Sequence, residues 1–262
     1  MSLTSEKDGR DRELNDVYAG KNPVAEALAA GVVFDTVFVS KKDGPNAPLI
    51  AKCVSAGAMV KEVHPAKLDA LSGGANHQGI VAVASCAKPA ELDDIFASAR
   101  EKNEPPLILI ADDIQDPHNL GALIRSAECA GAHGVIVPKH RSAMLGGVVA
   151  KSSAGAVSYI PVVKVSNLVA AMKELKQRGV WIYGADMDGG DFYKTDLTGP
   201  SAIVIGSEGE GLGRLVKENC DGILSIPMMG KINSLNASVA GGVLLFEAAA
   251  QRRKQRDGGD IK

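Results

Sequence analysis

Apolar and polar positions alternate along this chain in two different rhythms. In the first third the apolar stretches are short and mixed. VYAG at 17–20 and VFDTVFVS at 33–40 read as strands, as do AMVKEV at 58–63 and GIVAVAS at 79–85. Between them, NPVAEALAAG predicts a helix with Asn22 as its N-cap, Pro23 at the first helical position and Gly31 closing it. PLIAKCVSAG at 48–57 has helical spacing, and PAKLDALSG is a short helix. These elements make a small α/β domain over residues 16–85. Residues 1–15 are polar and without periodicity, which predicts disorder. Residues 86–104 are charged with a little helical spacing and read as a linker carrying a short helix. The break Glu104-Pro105-Pro106 then opens a second unit, 105–256.

The second unit alternates strand and helix. LILIAD, GVIVP, VSYIPVVKV, VWIYGAD, AIVIGSE and GILSIPM are aliphatic strand candidates. NLGALIRSAECAGA, NLVAAMKELKQRG, the start at GLGRLVKENC and SLNASVAGGVLLFEAAAQRR are helical. Such alternation implies a parallel sheet with helices on both faces. The final helix carries Leu235, Val239, Val243, Leu244, Leu245 and Phe246 on most of its sides, a pattern that demands burial all round and suits a partner subunit.

Composition narrows the class. Of 262 residues, 45% are hydrophobic and 23% charged, an ordinary globular balance, while only 4% are aromatic, so the core must be aliphatic. No apolar run is long enough to span a bilayer, and the charged start is no signal peptide, so a cytoplasmic protein without membrane contact is expected. Cys53, Cys86, Cys129 and Cys220 form no CxxC pair, and the five histidines lack ligand spacing, so no metal is expected; His118 alone sits in a densely polar segment. The net charge of −2 argues against a broad phosphate-tracking surface but leaves room for a local basic patch. QRRKQR at 251–256 is one, though a short basic tail is more often a solvated terminus.

Ligands of parallel sheets bind at the carboxyl ends of the strands. Three such ends are unusually polar or glycine-rich. In DDIQDPHNLGALIRSAE, 112–128, Asn119 is placed to cap the next helix, and Arg125 lies almost two turns into it. IVIGSEGEGLGR, 203–214, is a glycine-rich loop after a strand, but it is not GxGxxG, and a nicotinamide-dependent oxidoreductase is weakly supported. In SIPMMGKINSLNASVAGG, 225–242, Ser234 and Asn236 stand at a helix start. Taken singly, each is as well explained by capping or a tight turn.

In this order the three segments resemble the SpoU-type (TrmH-like) branch of the SPOUT methyltransferases: DPHNLGALIRSAECAG is similar to its first motif, GSEGEGL to its second and IPMMGKINSLNASVAGG to its third. GKNPVAEAL at 20–28 with HQGIVAVAS at 77–85 is similar to the N-terminal RNA-binding domain of the RlmB subgroup, which has an L30e/L7Ae-like fold. The resemblance implies an α/β protein whose parallel-sheet SPOUT domain ends in a C-terminal trefoil knot. It implies S-adenosylmethionine as methyl donor, bound at Gly206, Ile226 and Leu235, a glycine for close backbone approach and two aliphatics for an adenine slot. It implies catalytic positions at Asn119, Arg125, Glu208, Ser234 and Asn236, a homodimer, and ribosomal RNA as partner. The reaction implied is methylation of a ribose 2′-OH, on a guanosine of 23S ribosomal RNA in the peptidyl-transferase centre. The alternatives are the same chemistry on transfer RNA or another ribosomal site, including one tied to antibiotic resistance, or RNA binding without catalysis. A guanidinium stays protonated at ordinary pH, so Arg125 suits a phosphate clamp better than a base.

Overall fold

The computed structural model describes residues 16–259, so the expectation for residues 1–15 lies outside the described residues. The chain divides into two compact units, Met1–Lys88 with Met144–Ala150, and Pro89–Ala143 with Lys151–Lys262.

The first unit is built on four strands, β1 (Val17–Ala19), β2 (Phe34–Val39), β3 (Met59–Glu62) and β4 (Ile80–Ala84), in the order β1-β4-β2-β3. β4 runs antiparallel to β1 and β2, while β2 and β3 are parallel. Side chains alternate between faces along each strand. Val37, Val39, Ile80 and Ala82 pack with α1 (Lys21–Ala29) and α2 (Ala47–Ser55) through Val24, Ala27, Ile50 and Cys53. Phe38, Val81 and Val83 meet Leu68 of α3 (Pro65–Ser72) on the opposite side. The first helix starts two residues earlier than its sequence suggests: Gly20, at φ 99°, takes the N-cap position, and Asn22 lies inside the helix. The Gly20 N–H is already committed to the Ile80 carbonyl at 2.9 Å, which fixes where the chain can turn.

The second unit holds six parallel strands, β5 (Leu107–Ala111), β6 (Gly134–Pro138), β7 (Val162–Val165), β8 (Trp181–Asp191), β9 (Ser201–Ile205) and β10 (Gly222–Ser225), in the order β10-β8-β9-β5-β6-β7. Ile108, Ile110, Ile136, Ile182 and Val204 bury one face against α4 (Leu92–Glu101), α7 (Leu168–Gln177) and α8 (Arg214–Glu218), chiefly through Ile95, Met172, Leu175 and Val216. The segment 86–104, expected as a linker, thus contributes Ile95 to this core. The alternate residues Leu109, Val135, Val137, Ile203 and Ile205 are equally buried. That face is covered by α5 (Pro117–Cys129) and α9 (Ala237–Gly259). The two helices meet at Gly241, where a Cβ would lie 2.3 Å from Leu123 Cδ2. A short α6 (Gly147–Ser152) follows β6.

The chain lays β5, β6 and β7 outward in sequence, places β8 on the far side of β5, inserts β9 between them and sets β10 outside β8. Helix α9 then returns to β9 and α5. Strand order therefore reverses at β5 and β9, the position where parallel sheets open a ligand crevice.

The final helix departs from the sequence expectation in two ways. Leu244, Leu245 and Ala248 are fully buried, but Val239 and Phe246 are each 51% exposed, so it has one covered face rather than burial all round. The basic tail is not simply solvated. The Arg252 guanidinium donates to the carbonyl oxygens of Pro105, Pro106, Leu197 and Gly199 and to the Ser201 hydroxyl, at 2.6–3.1 Å. Five fixed N–H donors match these strand-end carbonyls as no ammonium could. Burial lowers its pKa to about 10, and Arg256 pairs with Glu104 at 2.6 Å beside it.

His133 lies at the same amino edge of the sheet and is fully buried. Its Nδ1 accepts the Leu107 N–H at 3.0 Å, which puts the ring proton on Nε2, 3.4 Å from a Glu104 oxygen. Burial, assisted by the Lys102 and Arg252 charges and opposed by Glu104, pushes its pKa from 6.5 down to about 4. The unfolded ring accepts a proton first, so the stability from the neutral buried ring is complete above about pH 6.5 and is lost as pH falls towards about 4. We expect His133→Asn, whose amide oxygen keeps an acceptor for Leu107, to cost about 1–2 kcal/mol at neutral pH. Between pH 7 and pH 5 the variant should lose less stability than wild type in urea titrations; parallel losses would contradict this origin.

Candidate active site

The reversal point brings the three polar strand ends together. From β5 the chain passes Asp112 and Asp113 and enters α5, whose N-cap is Asp116, not Asn119: the Asp116 carboxylate accepts the His118 N–H at 2.7 Å and Pro117 takes the first helical position. This capping assignment frees the Asn119 side chain. Its Nδ2 donates to Glu208 Oε1 at 3.1 Å, across a sequence separation of 89 residues. His118, flagged by its polar surroundings, is exposed and brings only its backbone N–H to this turn.

Glu208 sits in the loop after β9. That loop closes on itself through paired backbone bonds between Ser207 and Gly211, 3.0 and 3.1 Å long. Gly206 is required here because a Cβ would lie 2.2 Å from the Gly211 carbonyl carbon and oxygen. Asn236, the residue preceding α9, uses Oδ1 to accept the Ser238 and Val239 N–H groups and the Ser238 hydroxyl. Its Nδ2 points the other way, donating to Asn119 Oδ1 at 2.9 Å and to Glu208 Oε1. The Ala237 N–H adds a longer contact to the same carboxylate oxygen at 3.4 Å. Asn119, Glu208 and Asn236, one from each segment, therefore form a closed hydrogen-bonded cluster.

Beside the cluster lies a cavity of about 680 Å³. Gly206, Glu208, Ile226, Ser234, Leu235 and Asn236 all line it, with Ile205 and Leu224 adding apolar wall and residues 206–211 adding backbone. Its size is that of a small-molecule site, and aliphatic walls with a glycine-rich backbone rim fit a nucleoside-bearing ligand. Ser234 is exposed at the rim and makes no hydrogen bond among the described residues. Arg125 stands apart: it is exposed on α5, absent from the lining, and has no hydrogen-bond or ion-pair partner among the described residues.

Other lining residues were missed in the sequence. Along β8 the pairing with β10 jumps from Gly184 opposite Ile223 to Gly190 opposite Leu224, so residues 185–189 bulge out of the ladder. Ala185, Asp186 and Met187 of this bulge wall the cavity. The Lys217 ammonium, 2.8 Å away, holds the Asp186 carboxyl below the usual carboxylate range. In the sequence Gly189-Gly190 merely follow the strand candidate VWIYGAD, and nothing in the segment itself marks a bulge, which is set by pairing with β10. Asp112 anchors the far end of the β9 loop by accepting the Gly213 N–H at 2.8 Å, while burial pushes its own pKa up.

Comparison with known proteins agrees with this geometry. The SpoU rRNA Methylase family profile matches residues 106–246, and the profile for RNA 2'-O ribose methyltransferase substrate binding matches residues 19–90. The chain is 43% identical over 243 residues to the 23S rRNA (guanosine-2'-O-)-methyltransferase RlmB of Photobacterium profundum, covering 91% of this chain and 99% of that one. It is also 43% identical over 241 residues to the putative TrmH family tRNA/rRNA methyltransferase YacO of Bacillus subtilis, covering 91% and 96%. Among solved structures, the SpoU methyltransferase AviRb of Streptomyces viridochromogenes, crystallised in complex with AdoMet, superposes with a TM-score of 0.59 at 28% identity over 91% of this chain and 90% of that one. From its paired profiles, its strand order and the joining of its three motif segments at one cavity, the chain belongs to the SpoU rRNA methylase family.

Proposed function

We propose that this protein transfers a methyl group from S-adenosylmethionine to a ribose 2′-OH of RNA, and that the target is a guanosine of 23S ribosomal RNA. The observation that carries the reading is the Asn119–Glu208–Asn236 cluster at the mouth of the cavity. The RlmB relatives support the guanosine and the 23S RNA, and the substrate-binding profile supports an RNA-contacting role for the first unit. The insertion of β9 between β5 and β8 and the return of α9 support a knotted C-terminal domain. No helix among the described residues is long and apolar enough to cross a membrane, in keeping with a cytoplasmic site of action.

The donor brings its own activated methyl on a sulfonium. The protein's task is to hold the acceptor hydroxyl in line and to stabilise charge growing on its oxygen. Gly206, Ile226 and Leu235 hold the donor. Asn236 spends Oδ1 on the start of α9 and Nδ2 on Asn119 and Glu208, so it fixes the site rather than touching ribose. The second N–H of Asn119 and the Ser234 hydroxyl remain to orient the ribose. Arg125, unpaired and exposed, clamps a phosphate and stabilises the developing oxyanion; the proton leaves through that phosphate or a water.

Tritiated-methyl transfer into total RNA, followed by mapping of the labelled nucleotide, tests the reading; label in transfer RNA would move the substrate. On the mapped RNA we expect Arg125→Ala to lose about a hundred- to a thousandfold in rate. Arg125→Lys should retain measurable activity, and S-adenosylmethionine affinity should be unchanged in both. A lysine variant that recovers to wild-type rate as pH approaches about 10 would make residue 125 the base instead.

We also propose a homodimer through α9. Val239, Val243 and Phe246 recur at helical spacing, and two of them are half exposed, a stripe that water disfavours. Sedimentation should find a dimer at micromolar concentration, weakened about thirtyfold or more by Phe246→Glu; a monomeric wild type would contradict it.

A further inference from the structure

Two loops at the carboxyl edge of the sheet are fastened together beside the cluster, on the side away from the cavity. Asp113, after β5, and Arg141, after β6, both hold φ at 58°, a left-handed conformation that costs a non-glycine residue energy. Their side chains form an ion pair. Asp113 Oδ1 also accepts the Gln115 amide at 2.7 Å, and the Ala143 N–H donates to the Ile114 carbonyl at 2.9 Å. Strain of this kind persists where the surroundings over-determine it, and it clusters at functional loops. The clamp does little for the core, because the Arg141 side chain is 71% exposed. What it does fix is the path of the tripeptide Lys139-His140-Arg141. Lys139 is half-buried and His140 exposed, and neither side chain has a hydrogen-bond or ion-pair partner among the described residues.

The position of this tripeptide matters more than its charge. In the strand order the cavity belongs to β10, β8 and β9, and the cluster spans β9 and β5. β6 is the next strand, so its loop lies about 10 Å from the β9 loop. A strand of RNA presenting one ribose to the cluster must run its neighbouring phosphates along this edge or leave the protein. The same edge carries Asp112, Asp113, Asp116 and Glu208, and the whole chain has a net charge of −2, so phosphate can be held here only by a local group of cations. Arg141 is paired with Asp113, which among the described residues leaves Lys139 as the unpaired cation of this loop, in addition to Arg125 on α5.

We infer that Lys139, His140 and Arg141, held by the Asp113 clamp, are a second contact of the catalytic unit with the RNA backbone, beyond Arg125, on the phosphates flanking the methylated nucleotide. The inference rests on the methyl-transfer reading above.

The test uses the full-length protein and a fluorescently labelled fragment of 23S ribosomal RNA, with binding read by anisotropy over a range of salt concentrations. For K139Q/H140Q we expect RNA affinity to fall about five- to tenfold near 0.1 M salt. The slope of log affinity against log salt should shrink by about 0.7 for each lost phosphate contact. S-adenosylmethionine affinity and kcat at saturating RNA should stay within about twofold of wild type, which also reports that the variant is folded. Lys139→Gln alone should show the same trend at smaller size. Asp113→Asn gives the sharper contrast: removing an acid near a polyanion should tighten binding by simple electrostatics, whereas loss of the clamp should weaken it. Unchanged affinity and salt slope in K139Q/H140Q, or tighter binding by Asp113→Asn, would overturn the inference. A wild-type protein that binds the fragment but transfers no methyl would instead count against the reaction itself.

Discussion

One carboxylate oxygen organises the functional end of this protein. Glu208 Oε1 accepts from Asn119, from Asn236 and, more distantly, from the Ala237 N–H, and so joins the loops that follow three different strands. A carboxylate suits this position because it only accepts, whereas an amide or hydroxyl there would need a donor satisfied as well. The polarity of the cluster follows. With Glu208 accepting, both asparagines must direct Nδ2 towards it, and Asn236 is left with Oδ1 for the start of α9. The helix cap, the glycine-rich loop and the start of α5 are thereby set relative to one another before any ligand arrives, the preorganisation that transition-state stabilisation requires.

This arrangement depends on the sheet beneath it. Inserting β9 between β5 and β8 brings the β9 loop beside the β5 loop, and the return of α9 brings Asn236 to the same place. The amino edge of the sheet is secured separately. There Arg252 gathers carbonyl oxygens from the starts of β5 and β9, and a neutral His133 closes the gap between β5 and β6. The amino ends of these strands are thus tied by hydrogen bonds from Arg252 and His133, while the cavity opens at their carboxyl ends.

Much of the fold was legible in the sequence because parallel strands buried on both faces read as aliphatic runs. LILIA, GVIVP and AIVI became β5, β6 and β9 with little change. The site was legible only through resemblance. Asn119, Glu208 and Asn236 are far apart in the chain, and spacing alone left each as a cap or a turn. Asn119 looked like a cap because it precedes a helical apolar pattern, but Asp116-Pro117 starts the helix earlier. The β8 bulge was not legible, since a bulge is a property of pairing with β10 and not of the bulged segment itself. Arg252 was misread as tail because its partners are backbone carbonyls, which leave no trace in side-chain patterns.

The central claim is that Glu208 builds the site by holding its segments together. Calorimetric titration of S-adenosylmethionine into wild type, Glu208→Ala and Glu208→Gln tests it directly. Glutamine keeps an acceptor oxygen within reach of Asn119 and Asn236, while alanine removes it. We expect the glutamine variant to bind within a few-fold of wild type and the alanine variant to bind about tenfold or more weakly, the loss of at least one charge-assisted hydrogen bond. An alanine variant that binds as tightly as wild type would contradict the claim.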